Sequence, residues 1–124
     1  MPWELDSDRP IYTQLMEQIE LKVCAGLYPP GGRLPPVREL AREAAVNPNT
    51  MQRALAGLEE SGLLYTRRTS GRFVTENQDM IRAVKSRLVR EHTRDFLNKM
   101  GRLGFTHPEI LEAVSSLMEE NKNE

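Results

Sequence analysis

The sequence predicts a mainly α-helical chain with one small β-hairpin, and three observations lead there. Apolar residues recur at steps of three and four through most of the chain, the spacing that gathers them on one helical face. Three breaks interrupt that rhythm: PPGGRLPP (Pro29 to Pro36), RRTSG (Arg67 to Gly71) and GRLG (Gly101 to Gly104), whose glycine and turn residues punctuate regular structure. Two short segments with β-branched and aromatic content flank the second break, the pattern of a hairpin.

Taken in order, Tyr12, Leu15, Met16, Ile19 and Val23 define a first helix, and Asp8 is placed to cap it. Val37, Leu40, Ala41 and Ala44 define a short second helix. Met51, Ala54, Leu55 and Leu58 define a third, with Asn47 as its N-cap, Pro48 at N1 and Gly62 placed to end it in a left-handed conformation. LLYT (Leu63 to Thr66) and RFVT (Arg72 to Thr75) read as the two strands, which need helices to pack on because an isolated hairpin is marginal. From Asp79 onward Ile81, Val84, Leu88, His92, Phe96, Met100 and Leu103 form one helical stripe. After the last break, Thr106 to Glu109 is a capping box, and Ile110, Leu111, Val114, Leu117 and Met118 make the final helix amphipathic. The polar residues from Glu119 to Glu124 are expected to fray.

Composition narrows the function. The chain has 124 residues, 28% charged, with 17 basic and 18 acidic side chains. That balance excludes a polycation that coats nucleic acid, but not a local basic face. No apolar run approaches the roughly 18 residues that span a bilayer, and the acidic start MPWELDSDRP is unlike a secretory signal. One cysteine, Cys24, permits no internal disulfide and suits a reducing, cytoplasmic setting. No Ser-His-Asp set, phosphate loop or metal-ligand cluster is evident, so no enzyme activity, cofactor or metal is expected.

The second and third helices are joined by about Ala45 to Asn47, which suits a helix-turn-helix, and the hairpin that follows supplies a wing. With Met51, Ala54, Leu55 and Leu58 turned inward, the third helix presents Asn49, Gln52, Arg53 and the small Ala56 outward. Amide side chains pair with adenine and arginine with guanine in a major groove. Asn47 and Thr50 sit at the same end of that helix. Arg38 and Arg42 lie opposite the apolar stripe of the second helix, and the wing holds Arg67, Arg68 and Arg72. Between Arg33 and Arg72 seven arginines face four glutamates, a local excess of three positive charges in a nearly neutral chain. Short-range attraction to phosphate under cellular screening needs no more than such a local patch. Spacing alone leaves a second reading open, a winged-helix protein-interaction module that does not bind DNA.

The stretch from Tyr28 to Asn77, with PPGGRLPPVRELAREAAVNPNTMQRALAGLEESGLLYTRRTSGRFV, resembles the GntR family of bacterial transcription regulators. RPIYTQLMEQI (Arg9 to Ile19) resembles that family's first helix, and NPNTMQRAL with the tail FLNKMGRLGFTHPEILEAV looks like its YtrA-type subfamily. The resemblance implies a winged helix-turn-helix repressor bound as a homodimer to an inverted-repeat operator on double-stranded DNA, often one controlling transporter genes. It implies DNA contacts from Arg38, from Asn49 and Thr50, and from Gly71. The chain departs from the family pattern at Pro36, where serine commonly caps the second helix, and at Pro48, where many members have arginine. It departs again at Ala45, where glycine is common, and at Arg72, where threonine is usual.

These readings divide the chain into a winged helix-turn-helix domain, residues 1–77, and a two-helix dimerisation tail, residues 78–124. Two lone helices bury their stripes by pairing with the same helices of a second chain, so Ile81, Val84, Leu88, His92, Phe96, Met100, Leu111 and Val114 are expected at a two-fold interface. Two helices are not expected to enclose a hollow of metabolite size, and no effector ligand is legible. Trp3 and Leu5 are expected to dock on the winged domain, and Cys24 to be half-buried.

Overall fold

The computed structural model describes residues 2–122. Seven elements follow one another: α1 (Ile11–Cys24), α2 (Val37–Ala44), α3 (Pro48–Glu60), β1 (Leu64–Arg67), β2 (Gly71–Val74), α4 (Gln78–Arg102) and α5 (His107–Lys122). They fall into two compact units that divide between Ser86 and Arg87, within α4. The first unit extends past the wing because Met80, Ile81 and Val84, on the opening turns of α4, pack against the winged core.

That core is made by the faces the periodicity marks out. Leu15, Ile19 and Val23 of α1 meet Leu40, Ala41 and Ala44 of α2 and Met51, Ala54, Leu55 and Leu58 of α3, and Leu63, Leu64 and Val74 of the hairpin close it. Each fully buried leucine contributes about 1.5–3 kcal/mol of transfer free energy. Helices α1 and α3 approach closely at Gly57, where a Cβ would stand 2.9 Å from the Met16 Cε.

Helix starts follow the local chemistry with one exception. Asn47 accepts a hydrogen bond from the Asn49 backbone N–H at 2.7 Å, capping α3 ahead of Pro48. Asp8 does not cap α1: Pro10 occupies the N-cap position and no side chain caps that end. The segment before α1 is held instead by Gln14, which is 1% exposed. Its amide nitrogen donates to the carbonyls of Asp6 and Arg9 at 2.7 and 2.9 Å, and its oxygen accepts from the Asp6 N–H at 2.6 Å. Trp3 and Leu5 pack against the core as expected, and the Lys22 ammonium lies 3.4 Å from the Trp3 ring centroid. Pro36 heads α2 without a side-chain cap. Ala45, which ends α2, is left-handed at φ 56° and ψ 47°, a conformation costing a non-glycine residue about 1–2 kcal/mol.

The hairpin is displaced one residue toward its turn from the sequence expectation, with Leu64 opposite Val74 and Arg67 opposite Gly71. The Pro-Gly loop lends it a third edge: Leu34 N–H donates to the Arg72 carbonyl and Val74 N–H to the Gly32 carbonyl, both at 2.9 Å.

In the second unit the capping box forms. Thr106 N–H donates to the Glu109 carboxylate at 2.9 Å, and Glu109 N–H donates to the Thr106 hydroxyl at 3.4 Å. The Thr106 N–H and the Thr106 hydroxyl, which both donate to the carboxylate, hold the Glu109 carboxyl below its ordinary pKa. Helix α5 continues to Lys122, so the expected fraying does not begin at Glu119; Asn123 and Glu124 lie outside the described residues.

Candidate nucleic-acid interface

The turn from Ala45 to Asn47 reverses the chain so that α3 starts beside α2 with its polar face outward. Asn47, Asn49, Gln52 and Arg53 are exposed and Thr50 is half-buried. Arg38 and Arg42 are exposed on α2, across that helix from Leu40 and Ala41. Arg67 and Arg68 are exposed at the end of β1 and in the wing turn. The winged unit thus holds all eleven sequence-selected positions, but it does not leave them equally free.

Two arginines rest on aromatic rings. The Arg53 guanidinium carbon lies 3.7 Å from the Tyr12 ring centroid, so the first helix supports a side chain of the third. Arg67 lies 5.0 Å from the Phe73 centroid and 5.8 Å from that of Tyr65, over a stacked pair whose centroids are 5.7 Å apart. Stacking engages the face of a guanidinium and leaves its in-plane N–H donors available. Beside Arg53, Tyr12, Asn49 and Thr50 line an open hollow of about 680 Å³ between the starts of α1 and α3.

Arg72 is different. The sequence reading has it adding a free charge that reaches a phosphate, with Glu59 far from the DNA-facing end of α3. Instead the Arg72 Nε donates to the Glu59 carboxylate, and its Nη1 donates to the Gln52 Oε1 at 3.3 Å. The Thr66 hydroxyl also donates to Glu59, at 2.6 Å. Burial raises the Glu59 pKa, but the Thr66 bond and the bond and charge of Arg72 outweigh it, so the carboxyl titrates below its ordinary value. The result is a clasp between wing and recognition helix that pairs the Arg72 charge with Glu59 and engages the Gln52 oxygen.

Gly71 has φ 102°, and a Cβ there would stand 3.2 Å from the Arg33 Nε. The sequence places Tyr12 in the first helix's apolar stripe and Arg33 at the start of the basic segment, but marks neither as an interface residue. Both belong to other elements and reach the interface only through the fold. The Pro-Gly loop that precedes α2 was the available signal for Arg33.

The tail residues also separate. Ile81 and Val84, expected at an interface with a second chain, pack on the winged core of their own chain, and Leu88 is 4% exposed with no second chain present. The early stripe of α4 is thus engaged within the chain. Phe96 and Leu111 are 40% and 70% exposed, His92 is exposed, and Met100 and Val114 are partly so. Phe96, Met100, Ala113, Val114, Leu117 and Met118 line an open apolar groove of about 400 Å³. This groove is open to solvent rather than enclosed by the two helices.

A short helix, a left-handed turn, a second helix with a polar outer face and a basic hairpin define a winged helix-turn-helix. The pattern of the "Bacterial regulatory proteins, gntR family" matches residues 11–74. The chain is 37% identical over 116 residues to the HTH-type transcriptional regulator YhcF of Bacillus subtilis, spanning 94% of this chain and 96% of that one. It is 41% identical over 71 residues to the B. subtilis HTH-type transcriptional repressor YtrA, covering 57% of this chain and 55% of that one. Its fold matches a GntR family transcriptional regulator from Listeria monocytogenes with a TM-score of 0.81 and 36% identity, covering 90% and 98% of the two chains. The DNA-binding domain of AraR, solved with operator ORX1, aligns with a TM-score of 0.52 and 27% identity over 60% of this chain and 99% of that one.

This chain belongs to the GntR family of bacterial regulators and has the YtrA-type arrangement, a winged domain followed by C-terminal helices. It is a transcriptional regulator with a DNA-binding domain, not an enzyme. No helix among the described residues is long and apolar enough to cross a membrane.

Proposed function

We propose that this regulator is a cytoplasmic homodimeric repressor that binds an inverted-repeat operator in the promoter of its own operon. The observation that carries the reading is the start of α3. There Asn49 and Arg53 are exposed, and Arg38 and Arg42 on α2 and Arg67 and Arg68 on the wing are exposed as well. Asn49 and Arg53 are the base-edge readers, and Arg38, Arg42, Arg67, Arg68 and the Gly71 backbone position the duplex. Asn47 sets the start of the helix. Gln52 and Arg72 act as a pair through their hydrogen bond. Repression is supported by the relative YtrA, named a repressor, and DNA as partner by the AraR domain solved on its operator.

Dimerisation is supported by the tail. Phe96, Leu97, Leu103, Leu111, Leu117 and Met118 are exposed in the second unit, and a cluster of large apolar side chains in water marks an interaction surface. A second copy presents the same surface, and an isologous pairing places two recognition helices on half-sites about one helical turn apart. The interface therefore centres on Phe96, Met100, Leu111 and Val114, with His92 at its edge.

Mobility shifts with the promoter of the chain's own gene test the reading. Binding is expected to fall with salt, and Arg38→Ala or Arg53→Ala to weaken it several-fold. Loss at a base reader relaxes sequence preference, whereas loss at a phosphate contact weakens all duplexes alike. No retained sequence after selection from a randomised duplex pool would overturn it. Sedimentation showing a monomer at micromolar concentration would overturn the dimer.

A further inference from the structure

We propose that Tyr12, on α1 and outside the helix-turn-helix, is a positioning residue for DNA recognition: its ring holds the Arg53 guanidinium in the orientation from which it meets DNA. This rests on the DNA-binding reading above and adds to it a determinant from a different helix.

The geometry carries the argument. Tyr12 is half-buried at the start of α1, on a helix locked to α3 through Leu15, Ile19 and the close approach at Gly57. Its ring is therefore a fixed platform. Arg53 is exposed and has many rotamers to lose on binding. At 3.7 Å from the ring centroid, the guanidinium carbon is in stacking contact. A stack spends none of the N–H donors that a guanine edge or a phosphate requires, unlike the carboxylate and amide partners that hold Arg72. The hollow beside it, walled by Asn49 and Thr50, leaves those donors an open approach. Ordering before binding lowers the entropy cost at the moment of binding, which appears as affinity without a new contact to DNA.

The test is a double-mutant cycle read on a duplex obtained by selection from a randomised pool on the wild-type protein. Tyr12→Leu keeps an apolar side chain and removes the ring; it is expected to weaken binding about three- to tenfold. Tyr12→Phe keeps the ring and is expected to bind within about twofold of wild type. In an Arg53→Gln background, Tyr12→Leu is expected to cause no further loss. Equal losses from Tyr12→Leu with and without Arg53, or a loss from Tyr12→Phe as large as that from Tyr12→Leu, would overturn the proposal, since a merely structural role predicts the first and a hydroxyl contact the second. A wild-type protein that retains no duplex removes the DNA-binding reading itself, and this proposal with it. A readout that does not depend on the stability of any variant is the ring-current shift of the Arg53 side-chain protons in the free wild-type protein; unshifted protons would show that the stack is not populated.

Discussion

The two units of this chain treat their apolar side chains in opposite ways. In the winged unit the large aliphatic residues of three helices and a hairpin are almost all buried, and Leu27 is the large apolar residue there that is strongly exposed among the described residues. In the tail, Leu88 and Ile110 are buried, whereas Val89, Phe96, Leu97, Leu103, Phe105, Leu111, Leu117 and Met118 meet solvent. The same helical periodicity underlies both. Three helices and a hairpin surround a shared interior, but a pair of helices has only one facing side each. The difference teaches that an apolar stripe reports a buried face without reporting whether the covering surface comes from the same chain.

Substitutions sharpen that contrast, from large effects to small. Leu55→Ala opens a cavity in the winged core and is expected to cost about 2–5 kcal/mol of unfolding free energy in denaturant titration, while Leu111→Ala, at 70% exposure, leaves the unfolding of dilute monomer within about 0.5 kcal/mol. Equal losses at the two sites would erase the distinction. Leu117→Asp sets a charge in the apolar groove and is expected to weaken self-association by about tenfold or more, read by sedimentation, with the melting of the winged unit retained.

Ala45→Gly removes the left-handed penalty at the end of α2 and is expected to stabilise by about 1 kcal/mol, seen as a rise of several degrees in Tm. An unchanged or lower Tm would contradict the strain. The smallest effect belongs to the clasp. The folded pKa of Glu59 is depressed, so its contribution to stability is present above its ordinary value of 4.5 and is lost as pH falls below that through the folded value. Glu59→Gln should flatten that part of the pH–stability profile and leave neutral-pH stability slightly lower.

What was legible in the sequence was what neighbouring residues decide among themselves. The inward faces of α2 and α3, the Asn47 cap and the Thr106–Glu109 box depend on contacts within a few positions, and each is found where spacing and residue type indicate. The Asp8 cap failed because Pro10 takes the N-cap position two residues on. The interface residues were legible as a set, but their partners were not. Arg72 on the wing reaches Glu59 and Gln52, 13 and 20 positions earlier on α3, and Tyr12 meets Arg53 from another helix; such pairings are products of packing rather than of periodicity. Ile81 and Val84 bear the same pattern as Phe96 and Met100, yet they pack on the core of their own chain. Periodicity counts residues along a face and is blind to what that face meets.

The close approach at Gly57 has a consequence beyond the core. The space a Cβ would need is taken by the end of Met16, so α1 and α3 divide one volume between them. A methyl added at 57 would have to be met by a new rotamer or a shorter side chain at 16; failing both, α1 would be levered outward. The Tyr12 ring would then move with its helix while Arg53 stayed with α3. Residues 16 and 57 thus act as a tuning screw for a surface neither of them touches, and a lineage could adjust its grip on an operator by trading one methyl group in the interior.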